Sequence, residues 1–91
     1  MNTTVAKRIE FQKNYKNTHD GNLVILFRDM DFYFLYNEDA ETFGQILGTD
    51  GKVAHDGDFT YAAFAASRLD QYLPAIIRKG YRVAICDGAI C

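Results

Sequence analysis

The sequence predicts an α/β fold of the mixed α+β kind, with a central mixed sheet flanked by about three helices, in one domain over residues 1–91. Three observations predict it. Two runs of strand-forming residues, 23–27 and 32–36, are separated by only four residues. Three further stretches place apolar residues at helical spacing. Hydrophobic residues make up 48% of the chain and aromatic residues 14%, which excludes a disordered polymer. A chain of this length can bury about two thirds of its unfolded surface.

Residues 5–17 are predicted as the first helix. Ala6, Ile9, Lys13 and Lys16 place apolar groups beside aliphatic stems, and Phe11 and Tyr15 stand one turn apart. Lys7, Arg8, Lys13 and Lys16 would ride on its outer face. That face has two readings, a solvated back of a docking helix or a set of phosphate contacts. His19-Asp20-Gly21 ends the helix.

The continuous apolar run 23–27 suits a strand covered on both faces. Asp29-Met30-Asp31 breaks it, and the aromatic-rich 32–36 returns as a second strand. So short a link implies an antiparallel pair whose tip presents Asp29, Met30, Asp31 and Phe32. Asn37 is placed to cap a second helix, with Glu38 and Asp39 at its positive end. Ala40, Phe43, Ile46 and Leu47 form its apolar stripe. Gly44 either weakens it or allows a close backbone approach, and Gly48 stops it.

Thr49-Asp50-Gly51 reads as a turn. Residues 52–55 and 58–64 read as two strands joined at Asp56-Gly57. Ser67 opens a third helix as a capping residue. Pro74 should kink that helix or reset its first turn. Residues 81–86 form a final strand. The expected core is Leu23, Ile25, Phe27, Phe43, Leu69, Leu73, Ile77, Val83 and Ile85.

Two stretches carry a family resemblance. Phe27-Arg28-Asp29-Met30-Asp31-Phe32-Tyr33-Phe34-Leu35-Tyr36-Asn37-Glu38-Asp39-Ala40 is close to F-R-x-G-D-F-Y-E-L-F-x-x-D-A. Leu69-Asp70-Gln71-Tyr72-Leu73 and Gly80-Tyr81-Arg82-Val83-Ala84-Ile85-Cys86-Asp87 follow in the same order as a second block. Together they resemble the N-terminal mismatch-recognition domain of the MutS family of DNA mismatch repair proteins, over roughly residues 15–87. The resemblance implies a MutS domain I-like fold and a non-catalytic DNA-binding role. In that family a Phe wedges beside the mispaired base and a Glu two residues on bonds to it. Phe32 stands at the Phe position and Phe34 at the Glu position, so the reading motif is degenerate. Met30 stands at the family's turn Gly, and Ala65 and Ser67 stand where the family has Pro and His.

The net charge of −2 argues against a uniformly basic nucleic-acid binder. The charges are unevenly spread. Residues 1–28 carry five basic and two acidic side chains, residues 29–58 one and eight, and residues 59–91 four and two. The expected DNA-contacting set is Phe32 with Lys7, Arg8, Lys13, Lys16, Arg68, Arg78 and Lys79, and double-stranded DNA is expected to be held weakly. The alternative is a protein-interaction module that keeps the fold without DNA readout. Its partner would use an open sheet edge, because the family domain continues past the 83–86 strand into another strand.

No cofactor or metal is expected. Asp50-Gly51-Lys52 fits the acidic-x-Lys end of a nuclease site, with Asp31 or Asp39 as a second ligand, but Asp-Gly is also a common turn and binding ranks above cleavage. No Gly-rich loop ending in Gly-Lys-Ser/Thr occurs, so the ATPase of a full MutS is not expected here. Cys86 reads as an inert buried thiol, with no disulfide framework. No apolar run is long enough to span a membrane, and the N-terminus has no signal pattern, so the expected compartment is the cytoplasm.

Overall fold

Five strands form one mixed sheet in the order β3-β4-β2-β1-β5. The structure is a computed structural model that describes residues 2–48 and 51–87. Along the chain run α1 (Thr3–Thr18), β1 (Leu23–Asp29), β2 (Phe32–Tyr36), α2 (Glu38–Leu47), β3 (Ala54–Asp56), β4 (Phe59–Ala65), a 3-10 turn (Ala66–Arg68), α3 (Leu69–Arg78) and β5 (Arg82–Asp87). β1, β2, β4 and β3 pair antiparallel in succession, and β5 adds to β1 in parallel, with Leu23 opposite Arg82. α3 is the crossover that a parallel pair needs.

β1 is an inner strand of the sheet, and its residues 24–27 are each 1% exposed or less. Burying such side chains contributes about 1.5–3 kcal/mol apiece. Their alternation divides the core. Val24 and Leu26, with Tyr33, Leu35, Ala62 and Phe64, face α2 and α3. Ile25 and Phe27, with Tyr36, Phe59 and Cys86, face the side where α1 lies.

α1 is longer than expected, because Asn2 accepts a hydrogen bond from the Val5 amide at 2.8 Å and starts it early. Its inward stripe is polar. Arg8 and Gln12 are its fully buried residues, whereas Ala6 and Lys13 are exposed and Ile9, Phe11 and Tyr15 half-buried. Arg8 therefore does not ride on the outer face.

Other expectations change for local reasons. Asn37 sits at the start of α2 but makes no side-chain cap. Its φ of 52° turns the side chain towards β4, where Oδ1 accepts from the Thr60 amide at 3.2 Å. Gly44 serves close approach, since a Cβ there would lie 2.8 Å from Val53 Cγ2 and 3.0 Å from the Gly51 carbonyl oxygen. Ser67 does not cap α3, which begins two residues later after the 3-10 turn and runs through Pro74. The Asp56-Gly57 turn shifts by one residue, with Asp56 opposite Phe59. Thr49 and Asp50 lie outside the described residues, as does Cys91.

Of the expected core residues, Ile25, Phe27 and Phe43 are buried and Leu23, Leu69, Leu73 and Val83 half-buried, whereas two are exposed. Ile77 is 54% exposed and Ile85 48%. The buried line of α3 runs through Tyr72 and Ile76, and Ile77 lies one position further round the helix. Among the described residues, the strand that holds Ile85 has a neighbour on one side only. Cys86 is buried as expected but is disulfide-bonded rather than a free thiol.

Candidate nucleic-acid interface at the β1–β2 hairpin

The antiparallel pairing of β1 and β2 closes at Asp29 opposite Phe32, leaving Met30 and Asp31 as a two-residue loop. Met30 takes φ 54°, the left-handed position at the first central residue of a hairpin turn, where Gly is favoured. A side chain held there costs about 1–2 kcal/mol, and the surroundings hold it. The Arg28 Nε donates to the Met30 carbonyl at 2.9 Å, and the Ala66 amide donates to the Asp31 carbonyl at 2.7 Å. The second bond ties the tip to the turn that follows β4, where Phe32 pairs with Ala65.

This rigid tip carries apolar side chains outwards. Met30 is 84% exposed and Phe32 49%. Phe32 is thus not a core residue. With Asp29, Asp31 and Phe34 the two line a shallow hollow on the α1 side of β2. Phe34, two residues on, is half-buried, and the Arg8 guanidinium lies 5.6 Å from its ring centroid.

Behind the tip, α1 is fastened by a line of polar contacts from side chains four residues apart. Arg8 donates to Asp29 at 2.8 Å and to the Tyr36 hydroxyl at 2.9 Å. Gln12 donates to the Tyr36 carbonyl at 3.1 Å and to Glu38 at 2.9 Å. Lys16 pairs with the buried Asp39, whose other oxygen accepts from the Ile25 amide at 3.0 Å. Burial opposes the Arg8 charge, but the bonds to Asp29 and Tyr36 outweigh it and its pKa lies above the ordinary value. Burial also raises the Tyr36 phenol, against the pull of Arg8. The line keeps Asp29 from standing as a bare charge beside Phe32.

The Asp39 carboxyl gives a pH prediction. Burial pushes its pKa above the ordinary 3.8, although Lys16 and the Ile25 amide pull it down. The folded chain then holds this proton more tightly than the unfolded chain. The contribution to stability is therefore fully present below the ordinary value and lost as pH rises through the folded one. Asp39→Asn should remove that fall. Urea unfolding of both proteins from acid to neutral pH should show the advantage of wild type over variant shrinking with rising pH. An advantage that grew over this window would contradict the assignment.

The basic candidates fall into three groups. Arg8 and Lys16 are held in internal pairs. Lys7 and Lys13 are exposed on α1. Arg68 is exposed at the hairpin's end of the sheet, beside the turn tied to Asp31, and bonds to Gln71 at 3.2 Å. Arg78 and Lys79 end α3, close before β5 begins opposite Leu23. They lie at the other end of the sheet from Phe32. The two acids considered as metal ligands are also apart, with Asp31 on the tip and Asp39 buried at the start of α2. Asp50 is outside the described residues. Among the described residues, no group of three or more His, Cys, Asp or Glu could hold a metal ion.

Comparison with known proteins agrees with this geometry. The family model described as MutS domain I matches residues 9–90. A DNA mismatch repair protein MutS from Salinibacter ruber is 40% identical over 67 residues, covering 70% of this chain and 7% of its own length. The protein of the same name from Bacteroides thetaiotaomicron is 49% identical over 67 residues, covering 70% and 8%. That from Flavobacterium johnsoniae is 35% identical over 88 residues, covering 91% and 10%. The chain thus spans a tenth or less of the length of these relatives, and the match to the family model takes in the hairpin, α2, α3 and β5. By the extent of this match, the chain belongs to the MutS domain I family.

Proposed function

We propose that this chain is a non-catalytic DNA-binding domain related to mismatch recognition in DNA mismatch repair, with a degenerate reading motif. The observation that carries the reading is Phe32, half-exposed on a braced hairpin tip at the family's wedging position. An aromatic ring so placed can enter a base step that is already weakly stacked, at lower cost than a sound one. Met30 adds an apolar neighbour. Phe34 offers no hydrogen bond to a base edge, so selection rests on ease of unstacking.

Arg68, and Lys7 beside Arg8 on α1, supply phosphate contacts nearest the tip, Lys13 stands further along α1 by Asn37 and Glu38, and Arg78 and Lys79 reach only a duplex that extends past the far end of the sheet. Arg8 and Lys16 act by holding α1 and neutralising Asp29 and Asp39. The full relatives' activity is not assigned to a chain of this span, and the cytoplasm is the compartment such a role fits. Among the described residues, no helix is long and apolar enough to cross a membrane. A second reading, a protein-interaction module without DNA readout, is favoured by β5, which ends the sheet with an apolar Ile85 half-exposed.

Binding to a mismatched duplex and its matched twin, at low and moderate salt, tests the proposal. Binding should be weak and should fall steeply with salt as counterions are released. Phe32→Ala should weaken it about tenfold, in the range of a lost base–aromatic stack, and the preference for the mismatch should be small. A strong, salt-resistant preference abolished by Phe32→Ala would restore the family's full reading role. No binding to either duplex at low salt would favour the interaction module.

A further inference from the structure

α1 covers only part of its side of the sheet. It packs on β1, with Phe11 edge-on to Phe27 at 6.1 Å, and leaves the β2–β4 half of that face more open. There Tyr36 stands opposite Tyr61, and Phe34 opposite the exposed Ala63. Phe34, Tyr36, Phe59 and Tyr61 wall a cavity of about 280 Å³ that Val5 closes from α1. Phe34 and Tyr36 stack nearly parallel, at 11°, and the other rings are tilted. Tyr36 meets Phe59 at 58°, and Phe59 meets Tyr61 at 43°. Phe34 and Tyr61 are half-buried and carry the ring surface that a docked side chain can reach, above the buried Tyr36 and Phe59. Among the described residues that line it, Asp56 alone is charged.

We infer that this cavity docks a basic segment of a partner protein, taking one Lys or Arg side chain between the rings. The proposal stands apart from the DNA reading, since none of its residues but Phe34 borders the hairpin hollow. Four features select the occupant. The negative ring faces of Phe34 and Tyr61 attract a cation, and Asp56 supplies its counter-charge. The chain already makes one such contact here, with Arg8 over Phe34 and its charge answered by Asp29 at 2.8 Å. A second acid stands close by, Asp58 next to Gly57 in the β3–β4 turn. That field repels nucleic-acid phosphate and favours a basic polypeptide. The small Ala63 and Ala65 leave a trough along β4 for the apolar residues flanking the bound cation.

The test is an NMR titration of the whole chain with an uncharged-capped pentapeptide, Ala-Leu-Arg-Val-Ala, and with the same peptide carrying Glu for Arg. The Arg peptide should shift the amides of Phe34, Asp56, Phe59 and Tyr61, less so at high salt. Asp56→Asn and Tyr61→Ala should each weaken binding about fivefold, and Tyr61→Phe should preserve it. Both positions are at least partly exposed, so the variants should keep the dispersed spectrum of the fold. No shifts at millimolar peptide, or equal shifts with the Glu peptide, would overturn the proposal. Equal affinity for free arginine amide would also overturn it, by pointing to a small cation instead of a polypeptide.

Discussion

Phe43→Ala is expected to destabilise the domain by about 3–5 kcal/mol, the usual range for emptying a buried aromatic site. Phe43 is 1% exposed in the middle of α2. Its ring stacks on Phe64 at 5.2 Å and meets the edge of Tyr72 at 5.8 Å, and those two rings meet each other at 5.1 Å. One side chain thus joins α2, β4 and α3, and no neighbour is free to close the gap. Domains of this size hold about 5–15 kcal/mol in total, so the loss approaches the margin of folding. The melting temperature should drop by on the order of 15 °C or more. Urea unfolding of the variant gives the measurement, with Ile77→Ala as the contrast. Ile77 is 54% exposed and should cost less than about 0.5 kcal/mol. A loss at Phe43 no larger than at Ile77 would mean that the three rings do not form the core between the helices and the sheet.

Phe43 and Ile77 also show what the sequence discloses and where it stops. Helical spacing identifies both as inward candidates, because spacing reports the period of a face and nothing about what covers it. Phe43 is covered because α2 lies on the sheet beside α3, whereas Ile77 lies past the buried line of α3. Ile85 shows the same for strands. Alternation gives its face but does not say that, among the described residues, β5 has a neighbour on one side only. The hairpin was legible because it is local. Two β-forming runs and a short polar break fix its pairing and its tip, and with them the place of Phe32.

The polar stripe of α1 was not legible for the opposite reason. Arg8, Gln12 and Lys16 recur every four residues, which is a readable signal that they share a face. A charged face nearly always points to water. What reverses this is a set of partners far along the chain, Asp29, Tyr36, Glu38 and Asp39, 21 to 28 residues from the side chains they meet. Met30 and Asn37 belong with these. Met does not announce a positive φ, and Asn, which adopts one more readily than other non-Gly residues, reads first as a helix cap; the two are held by Arg28 at the tip and by Thr60 on β4.

Arg8→Met should cost about 2–4 kcal/mol, most of it from groups left behind and not from the ion pair itself. The Tyr36 hydroxyl, on a residue 2% exposed, loses the donor at 2.9 Å, and an orphaned buried hydroxyl costs about 1–3 kcal/mol. Phe34 loses the cation over its ring, about 0.5–2 kcal/mol. The Asp29 side chain is 45% exposed and can rehydrate, which keeps the total below that for a fully buried pair. The Arg8 Nε is itself buried with no hydrogen-bond partner, so its removal returns part of the loss. Met fills the space of the stem and leaves the packing of α1 in place, so the comparison isolates the polar head. A double-mutant cycle with Asp29→Asn separates the contributions. The coupling between the two should be about 1 kcal/mol or less, with the greater part of the Arg8→Met loss surviving when Asp29→Asn is already present. At the hairpin, Arg8→Met frees the Asp29 charge beside Phe32, so DNA binding at low salt should weaken although Arg8 touches no solvent-facing surface. Unchanged binding with the stability loss intact would show that the guanidinium fastens α1 without shaping the field at the tip. A stability loss under about 1 kcal/mol, no more than an ordinary hydrogen bond contributes, would show that α1 is held by Gln12, Lys16 and its apolar contacts without the Arg8 head.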